Sequence, residues 1–127
     1  MRVAGGIADA LEASGRFAAV YAGPVPGPES MSAAVIPVGG VAGTACRDEL
    51  RYVVTVVASV DDLAESAAWL YGAPAAVRAA LAVDPSCGGT CTGVKVASWD
   101  RIYVASAGAA DVLALDVALT GTYERRV

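Results

Sequence analysis

The stretch ELRYVVTVVAS, residues 49–59, decides the fold. It is dense in β-branched side chains, which favour a β-strand. Apolar residues run through it almost continuously instead of alternating with polar ones, a pattern typical of a strand that is covered on both faces. We therefore expect a central strand here, and a charge placed at Val54 or Val56 is expected to prevent folding.

A helix is predicted directly after this strand, in SVDDLAESAAWLYG, residues 59–72, because its apolar residues recur at helical spacing. Gly72 is expected to end this helix. Pro74 is then expected to begin a second helical piece, residues 74–82, since a proline at the first helical position loses no hydrogen bond. Ser59 or Asp61 is expected to cap the first helix, and Asp62 and Glu65 are expected to be favoured at its positive N-terminal end.

The part of the chain before residue 49 predicts a helix and two strands. Residues 2–15 place apolar side chains on one helical face, with Asp9 and Glu12 pointing away and Gly15 suited to a left-handed cap. Strands are expected at residues 16–23 and 32–40, where Pro37 requires a sheet edge or a strand end. The connections are predicted to be a proline-rich loop over residues 24–30 and a flexible, glycine-rich turn over residues 39–50.

The last third of the chain predicts a hairpin. Residues 92–106 read as a strand with a bend or bulge at Trp99–Asp100, and residues 111–127 alternate as a half-buried strand. The segment SAGAAD between them reads as the hairpin loop. Together these elements predict a single α+β domain over residues 1–127, with a mixed, mainly antiparallel sheet of four to five strands flanked by two main helices.

Composition limits the classes of function. The chain has 127 residues, 56% of them hydrophobic and 17% charged, which is too apolar for disorder. Its longest apolar runs are of strand length, whereas a bilayer span needs about 20 residues, and Asp9 and Glu12 interrupt any apolar leader. We therefore expect a soluble chain made in the cytoplasm. A net charge of −4 without a Lys/Arg cluster in the sequence argues against nucleic-acid binding.

Candidate catalytic and metal-binding groups are few. The chain contains no histidine, which excludes a Ser-His-Asp or Cys-His mechanism within it. The adjacent acids Asp48–Glu49 and Asp61–Asp62 are neighbours along one element, whereas paired catalytic carboxylates must face each other across a pocket. The segment GGVAG lacks the Gly-Lys-Ser/Thr ending of a phosphate loop. We therefore expect no enzyme activity and no cofactor.

PSCGGTCTG, residues 85–93, brings Cys87 and Cys91 together. A zinc site usually needs four Cys or His ligands, and a thioredoxin-like pair needs the C-x-x-C spacing at a helix start. A disulfide across the glycine turn is possible in geometry, but the odd third cysteine, Cys46, and the expected cytoplasmic origin argue against it. The favoured interpretation is a loop with packing cysteines, whose joint replacement by serine leaves stability nearly unchanged.

Aromatic side chains allow two interpretations. They could anchor a partner, since aromatic residues and arginine are enriched at interaction hot spots, but covering the sheet's core is the preferred role. The C-terminal arginines are expected to form a solvated end, with a bridge to a neighbouring subunit as the alternative. The residues concerned are Trp69, Tyr71, Trp99, Tyr103, Arg125 and Arg126.

The order of these segments resembles that of bacteriophage tail terminator proteins of the lambda minor tail protein U type. The resemblance lies in the N-terminal helix VAGGIADALEAS, the strand RFAAVYAG before the proline-rich loop, the valine-rich strand LRYVVTVVAS with the helix DDLAESAAWLY directly after it, and the final strand ending in TGTYE. These match in order and approximate spacing along nearly the whole chain. The PSCGGTCTG loop has no counterpart in the family pattern.

The resemblance implies a virion protein of the tail or neck, assembled in the host cytoplasm. Such proteins form a hexameric ring on the tail tube, end its polymerisation and present the surface on which the head docks. Its partners would be the tail tube protein and the head–tail connector proteins, with DNA passing through the acidic bore without specific binding.

Residues 23–31 and 39–48 are the expected docking loops, and mean hydropathy of +0.54 fits a subunit that buries apolar surface in a ring. The alternatives are a head–tail connector and a small self-associating or ligand-binding α+β domain. The candidate interface residues are Pro26, Glu29, Met31, Asp48, Glu49, Arg51, Arg125 and Arg126.

Overall fold

The computed structural model describes residues 2–22, 31–42, 47–89, 91, 93–107 and 110–124. Within them the chain forms two helices and six strands. In chain order these are α1 (Arg2–Ala13), β1 (Ala19–Tyr21), β2 (Ser32–Ala42), β3 (Arg47–Ser59), α2 (Leu63–Val83), β4 (Gly93–Trp99), β5 (Tyr103–Ala107) and β6 (Ala110–Glu124).

All the described strands belong to one sheet, in the order β1-β2-β3-β6-β4, with β5 also paired to β6. The pair β1–β2 is parallel and the other pairs are antiparallel. This confirms the predicted α+β class with a mixed, mainly antiparallel sheet and two main helices. The sheet has six strands rather than four to five because the predicted strand over residues 92–106 is interrupted between Trp99 and Tyr103.

The strand β3 is central, as predicted, and is hydrogen-bonded to β2 on one side and to β6 on the other. Alternate side chains along it, from Tyr52 through Val54 and Val56, are buried in the cluster that contains both helices. On the opposite face Val53 is only half-buried. The prediction of cover on both faces therefore holds in part: Val57 is buried on the second face in a smaller cluster with Val112 and Ala114, but neither described helix packs there. Valine also suits a pleated, half-buried surface, so a run of valines does not require two covered faces.

The helix α1 has the predicted amphipathic pattern. Ile7 and Leu11 are fully buried against the sheet, whereas Asp9 and Glu12 are exposed. Gly15 has a φ of 70° and its N–H donates to the carbonyl of Glu12, so it forms the predicted left-handed C-terminal cap.

The helix α2 is continuous through Gly72 and Pro74, so the predicted break between two helical pieces is wrong. Pro74 has no N–H to donate to the carbonyl of Leu70, and an interior proline costs a helix about 3 kcal/mol or more. The helix nevertheless buries Leu70, Val77 and Leu81 on one stripe that crosses the proline, and each such side chain contributes about 1.5–3 kcal/mol. Packing therefore outweighs the local cost.

The start of α2 is capped by Asp62, rather than by Ser59 or Asp61. The Asp62 carboxylate accepts a hydrogen bond from the backbone N–H of Glu65 at 3.1 Å. Ser59 instead accepts from the N–H of Asp61 at 3.1 Å, which shapes the turn before the helix.

The strands β4 and β5 lie end to end along β6 as one interrupted strand. The pairing register with β6 shifts by one residue between Val96 and Ser98, and it has shifted again at Tyr103. This confirms the bend that the sequence predicts at Trp99–Asp100, and the pairing of Ala107 with Ala110 confirms the hairpin.

The strand β2 is longer than predicted. It continues to Ala42, and β3 begins at Arg47, so most of residues 39–50 is paired strand rather than a flexible turn. Pro37 lies where β1 no longer covers β2, which agrees with its expected place at an edge, and a bulge follows it before Gly39. The proline-rich loop over residues 24–30 lies outside the described residues.

Candidate functional site

The predicted interface residues that the structure describes do not form one site. Met31 stands at the start of β2, beside the end of β3, because the next residue, Ser32, pairs with Val57. Asp48 and Glu49 lie at the other end of β3, about 30 Å away at roughly 3.3 Å per residue. Pro26, Glu29, Arg125 and Arg126 lie outside the described residues, as does Cys46.

Glu49 and Arg51 point to the same side of β3, two residues apart. Their side chains form an ion pair at 3.5 Å and are both about half exposed, at 46% and 56%. An exposed pair of this kind contributes about 0–1 kcal/mol, so both side chains can be recruited by a partner at small cost.

Basic side chains that are distant in the sequence meet along one edge of the sheet, which we name the β4–β5 edge. The guanidinium carbon of Arg78, on α2, lies 5.6 Å from the centre of the Trp99 ring. Lys95 and Arg101 are exposed on the same edge. Trp99 is 52% and Val104 65% exposed. No pattern in the sequence predicts this edge, because it draws on α2, β4 and the residues between β4 and β5.

The opposite edge of the sheet, which we name the α1–β2 edge, is formed by β2 beyond Ala34 with α1 above it. In the described part of the chain, no strand pairs with the outer side of β2 past that point. Val38 is 62% exposed there, and Gly39 and Gly40 are exposed as well.

The four aromatic residues differ in burial. Trp69 packs against the core and meets Phe17 edge to face at 5.9 Å, as expected for a residue that covers the core. Tyr71 is 75% exposed, and Trp99 and Tyr103 are also exposed, so for these three the preferred role is wrong.

A polar cluster that the sequence did not single out lies on the sheet face away from the helices. Asp116 accepts hydrogen bonds from the Thr55 hydroxyl at 2.8 Å and from the Tyr103 hydroxyl at 3.0 and 3.1 Å. Burial, followed by the hydrogen bond to Asp116 and its charge, raises the pKa of Tyr103 to about 12. The only sign of this cluster in the sequence was that Asp116 falls on the solvent-facing side of the last predicted strand.

The cysteine loop is held together by its own polar groups. Asp84 accepts from the Ser86 hydroxyl at 3.0 Å and from the N–H of Gly88 at 2.7 Å. Cys87, Gly88 and Gly89 all have positive φ, between 51° and 79°, a conformation that glycine adopts without strain and cysteine does not.

Cys87 and Cys91 are thiols, and Cys87 is fully buried in the core. Burial, followed by the charges of Cys91 and Asp84, raises the pKa of Cys87 to about 12, so its thiol stays protonated at neutral pH. The predicted packing role fits Cys87. The expectation that its replacement by serine has almost no effect does not, because a hydroxyl would enter the core.

A groove of about 390 Å³ separates the C-terminal halves of the two helices. Its walls include the small residues Ala10 and Ala13 on α1 and Ala76 and Ala79 on α2, together with the charged residues Asp9, Arg16 and Asp84. Its size lies in the range of small-molecule sites.

Within the described ranges, no cluster of three or more His, Cys, Asp or Glu side chains could hold a metal ion. Neither described helix combines the length and the apolar character that crossing a membrane requires. No protein-family model matches the chain, and no curated protein matches it.

Proposed function

We propose that this protein is a structural subunit that assembles into a ring and closes the end of a phage tail tube, in the manner of a tail terminator. Its role would be to stop tube polymerisation and to present the surface on which the filled head docks. This role rests on the resemblance to tail terminator proteins, which lies in the order of the helices and strands.

The observation that carries the proposal is the one-sided architecture of the sheet. Both described helices pack on one face, and the outer strands β2 and β4–β5 keep exposed apolar side chains, among them Val38, Trp99 and Val104. Exposed apolar surface on a small domain usually becomes buried when the domain associates with another chain. A ring needs contact surfaces on two different sides of each subunit. A sheet with two such edges meets this requirement.

The test is tube capping. Purified protein is added to tail tube subunits during polymerisation, and the tubes are examined by negative-stain electron microscopy. We expect shorter tubes with an extra ring at one end and no further growth from that end. Unchanged tube length and bare ends at saturating protein would refute the terminator role.

The groove between α1 and α2 favours a second candidate, a small ligand-binding domain. It is lined mainly by methyl and methylene groups, which suit an apolar ligand. Ala76→Trp, at a half-buried position on the groove wall, would fill it. A library of apolar fragments that raises Tm of the wild type but not of Ala76→Trp would support this candidate over the ring.

A further inference from the structure

We infer that copies of this chain associate head to tail, the β4–β5 edge of one copy docking on the α1–β2 edge of the next. The inference rests on the proposed ring and assigns the surfaces that form it. Its occupant is a second copy of the chain, because the two edges are complementary in position, strand direction and charge.

The two edges lie at the same level of the sheet. Residues 48–54 of β3 pair with residues 35–42 of β2 on one side and with residues 117–123 of β6 on the other. The same part of β6 pairs with β4 on its far side. The outer side of β2 and the outer side of β4 are therefore opposite ends of one row of strands.

The strand directions are compatible with joining these ends. Each neighbouring pair from β2 through β3 and β6 to β4 is antiparallel, so β2 and β4 run in opposite directions. When the sheet of one copy continues into the next with its orientation kept, β4 meets β2 as another antiparallel neighbour. This is the pairing geometry of the rest of the row.

Among the described side chains, the two edges carry opposite net charge. The β4–β5 edge carries Arg78, Lys95 and Arg101 against Asp100, all exposed, in a chain whose net charge is −4. The α1–β2 edge has Asp9 and Glu12 against Arg16 among its described side chains, all exposed. Opposite patches steer and orient association, and like charges brought together oppose it.

The side chains of the β4–β5 edge have the composition of a binding surface. Trp99 stacks under Arg78 and is half exposed, Val104 is 65% exposed, and Tyr103 is 40% exposed. Tryptophan, tyrosine and arginine are the residues that most often dominate binding energy. Val38 and the exposed glycines of β2 offer a flat, small surface for them.

The test uses two charge-reversed variants that have equal numbers of substitutions. In the first, Lys95→Glu and Arg101→Glu make both edges acidic. In the second, Asp9→Lys and Glu12→Lys make both edges basic. The control, Asp61→Lys with Glu65→Lys, changes the net charge as much as the second variant but at the exposed start of α2. Oligomer size is measured by sedimentation velocity and native mass spectrometry at low and high salt.

We expect the wild type and the control to assemble and each edge variant alone to associate about tenfold or more weakly at low salt. An equimolar mixture of the two edge variants should assemble again, with the two chains in a 1:1 ratio, because each acidic edge then meets a basic one. Circular dichroism and thermal melts are expected to match the wild type, since every substituted side chain is exposed.

The outcomes separate this inference from the proposed function. Edge variants that assemble like the wild type would refute the edge assignment and leave the ring in place. Assembly that follows the predicted charge pattern, in a protein that does not cap tubes, would support the edges and refute the terminator role. A wild type that stays monomeric at every concentration would refute both.

Discussion

Placing an aspartate at Val54 or at its neighbour Val53 tests the one-sided structure of the sheet most directly. Val54 is fully buried under the helices, whereas Val53 points to the opposite face and is half-buried. Fully burying a valine contributes about 1.5–3 kcal/mol, and Val54→Asp removes this contribution. To stay neutral at pH 7 the buried carboxyl must raise its pKa by at least about 3 units from its usual value near 3.9, which costs about 4 kcal/mol.

The sum, about 5.5–7 kcal/mol, is comparable with the whole stability of a typical domain, about 5–15 kcal/mol. We therefore expect Val54→Asp to be largely unfolded at pH 7, and Val53→Asp to lose only about 1–2 kcal/mol. Val54→Ala is expected to cause a loss of stability between these two, small enough to be measured, since removing two buried methyl groups costs about 1.5–3 kcal/mol.

The assay is urea denaturation followed by tryptophan fluorescence and circular dichroism at pH 7 and pH 4. A carboxyl whose pKa is raised in the folded state is tolerated below its unfolded pKa, and the stability is lost as the pH rises. Val54→Asp should therefore regain structure at pH 4 relative to pH 7. Equal damage from Val53→Asp and Val54→Asp would refute the assignment of both helices to one face.

Further predictions concern the loop, the polar cluster and the long helix. Cys87→Ser should lower the free energy of unfolding by about 1–3 kcal/mol because a hydroxyl enters the core, and Cys91→Ser by much less; equal losses in urea melts would contradict the core position of Cys87. Because the pKa of Tyr103 is raised from 10 to about 12, the neutral phenol stabilises the fold below pH 10, and this contribution is lost between about pH 10 and 12. Absorbance titration at high pH should detect a late-ionising tyrosine that disappears in Tyr103→Phe and ionises earlier in Asp116→Asn; unchanged titration curves in both variants would argue against the cluster. Gly72→Ala should raise the free energy of unfolding by about 0.5–1 kcal/mol, since the glycine is exposed inside a helix and an added Cβ meets nothing within 4 Å; a loss of stability would indicate that the helix does break there.

Local sequence patterns were sufficient to predict the helices and strands that are determined by interactions between residues close in the chain. The apolar spacing of α1, its glycine cap and the valines of β3 all act within a few residues, and the structure has each of them where the sequence predicts. The edge position of Pro37 also follows from a single residue whose backbone preference is strong.

The features that the sequence did not predict depend on packing between distant segments. Gly72 and Pro74 weaken a helix locally, and only the buried stripe on both sides of them keeps α2 continuous. Cys87 stands in a glycine-rich loop, and its burial depends on how that loop folds back between α2 and β4. The basic β4–β5 edge joins Arg78 to Lys95 and Arg101, which no pattern along the chain connects.

The irregularities of the two outer strands bear on why association would end in a ring rather than a fibre. Pro37 removes a backbone donor from β2 and a bulge follows it, while the opposite edge has a bulge after Val96 and a break after Trp99. An uninterrupted strand edge can pair in many registers and grow without limit. Interrupted edges can meet only over short segments, so the side chains around Trp99 must set the register. One fixed register gives one fixed rotation between neighbours, and repeated rotation of this kind is what allows a head-to-tail assembly to close.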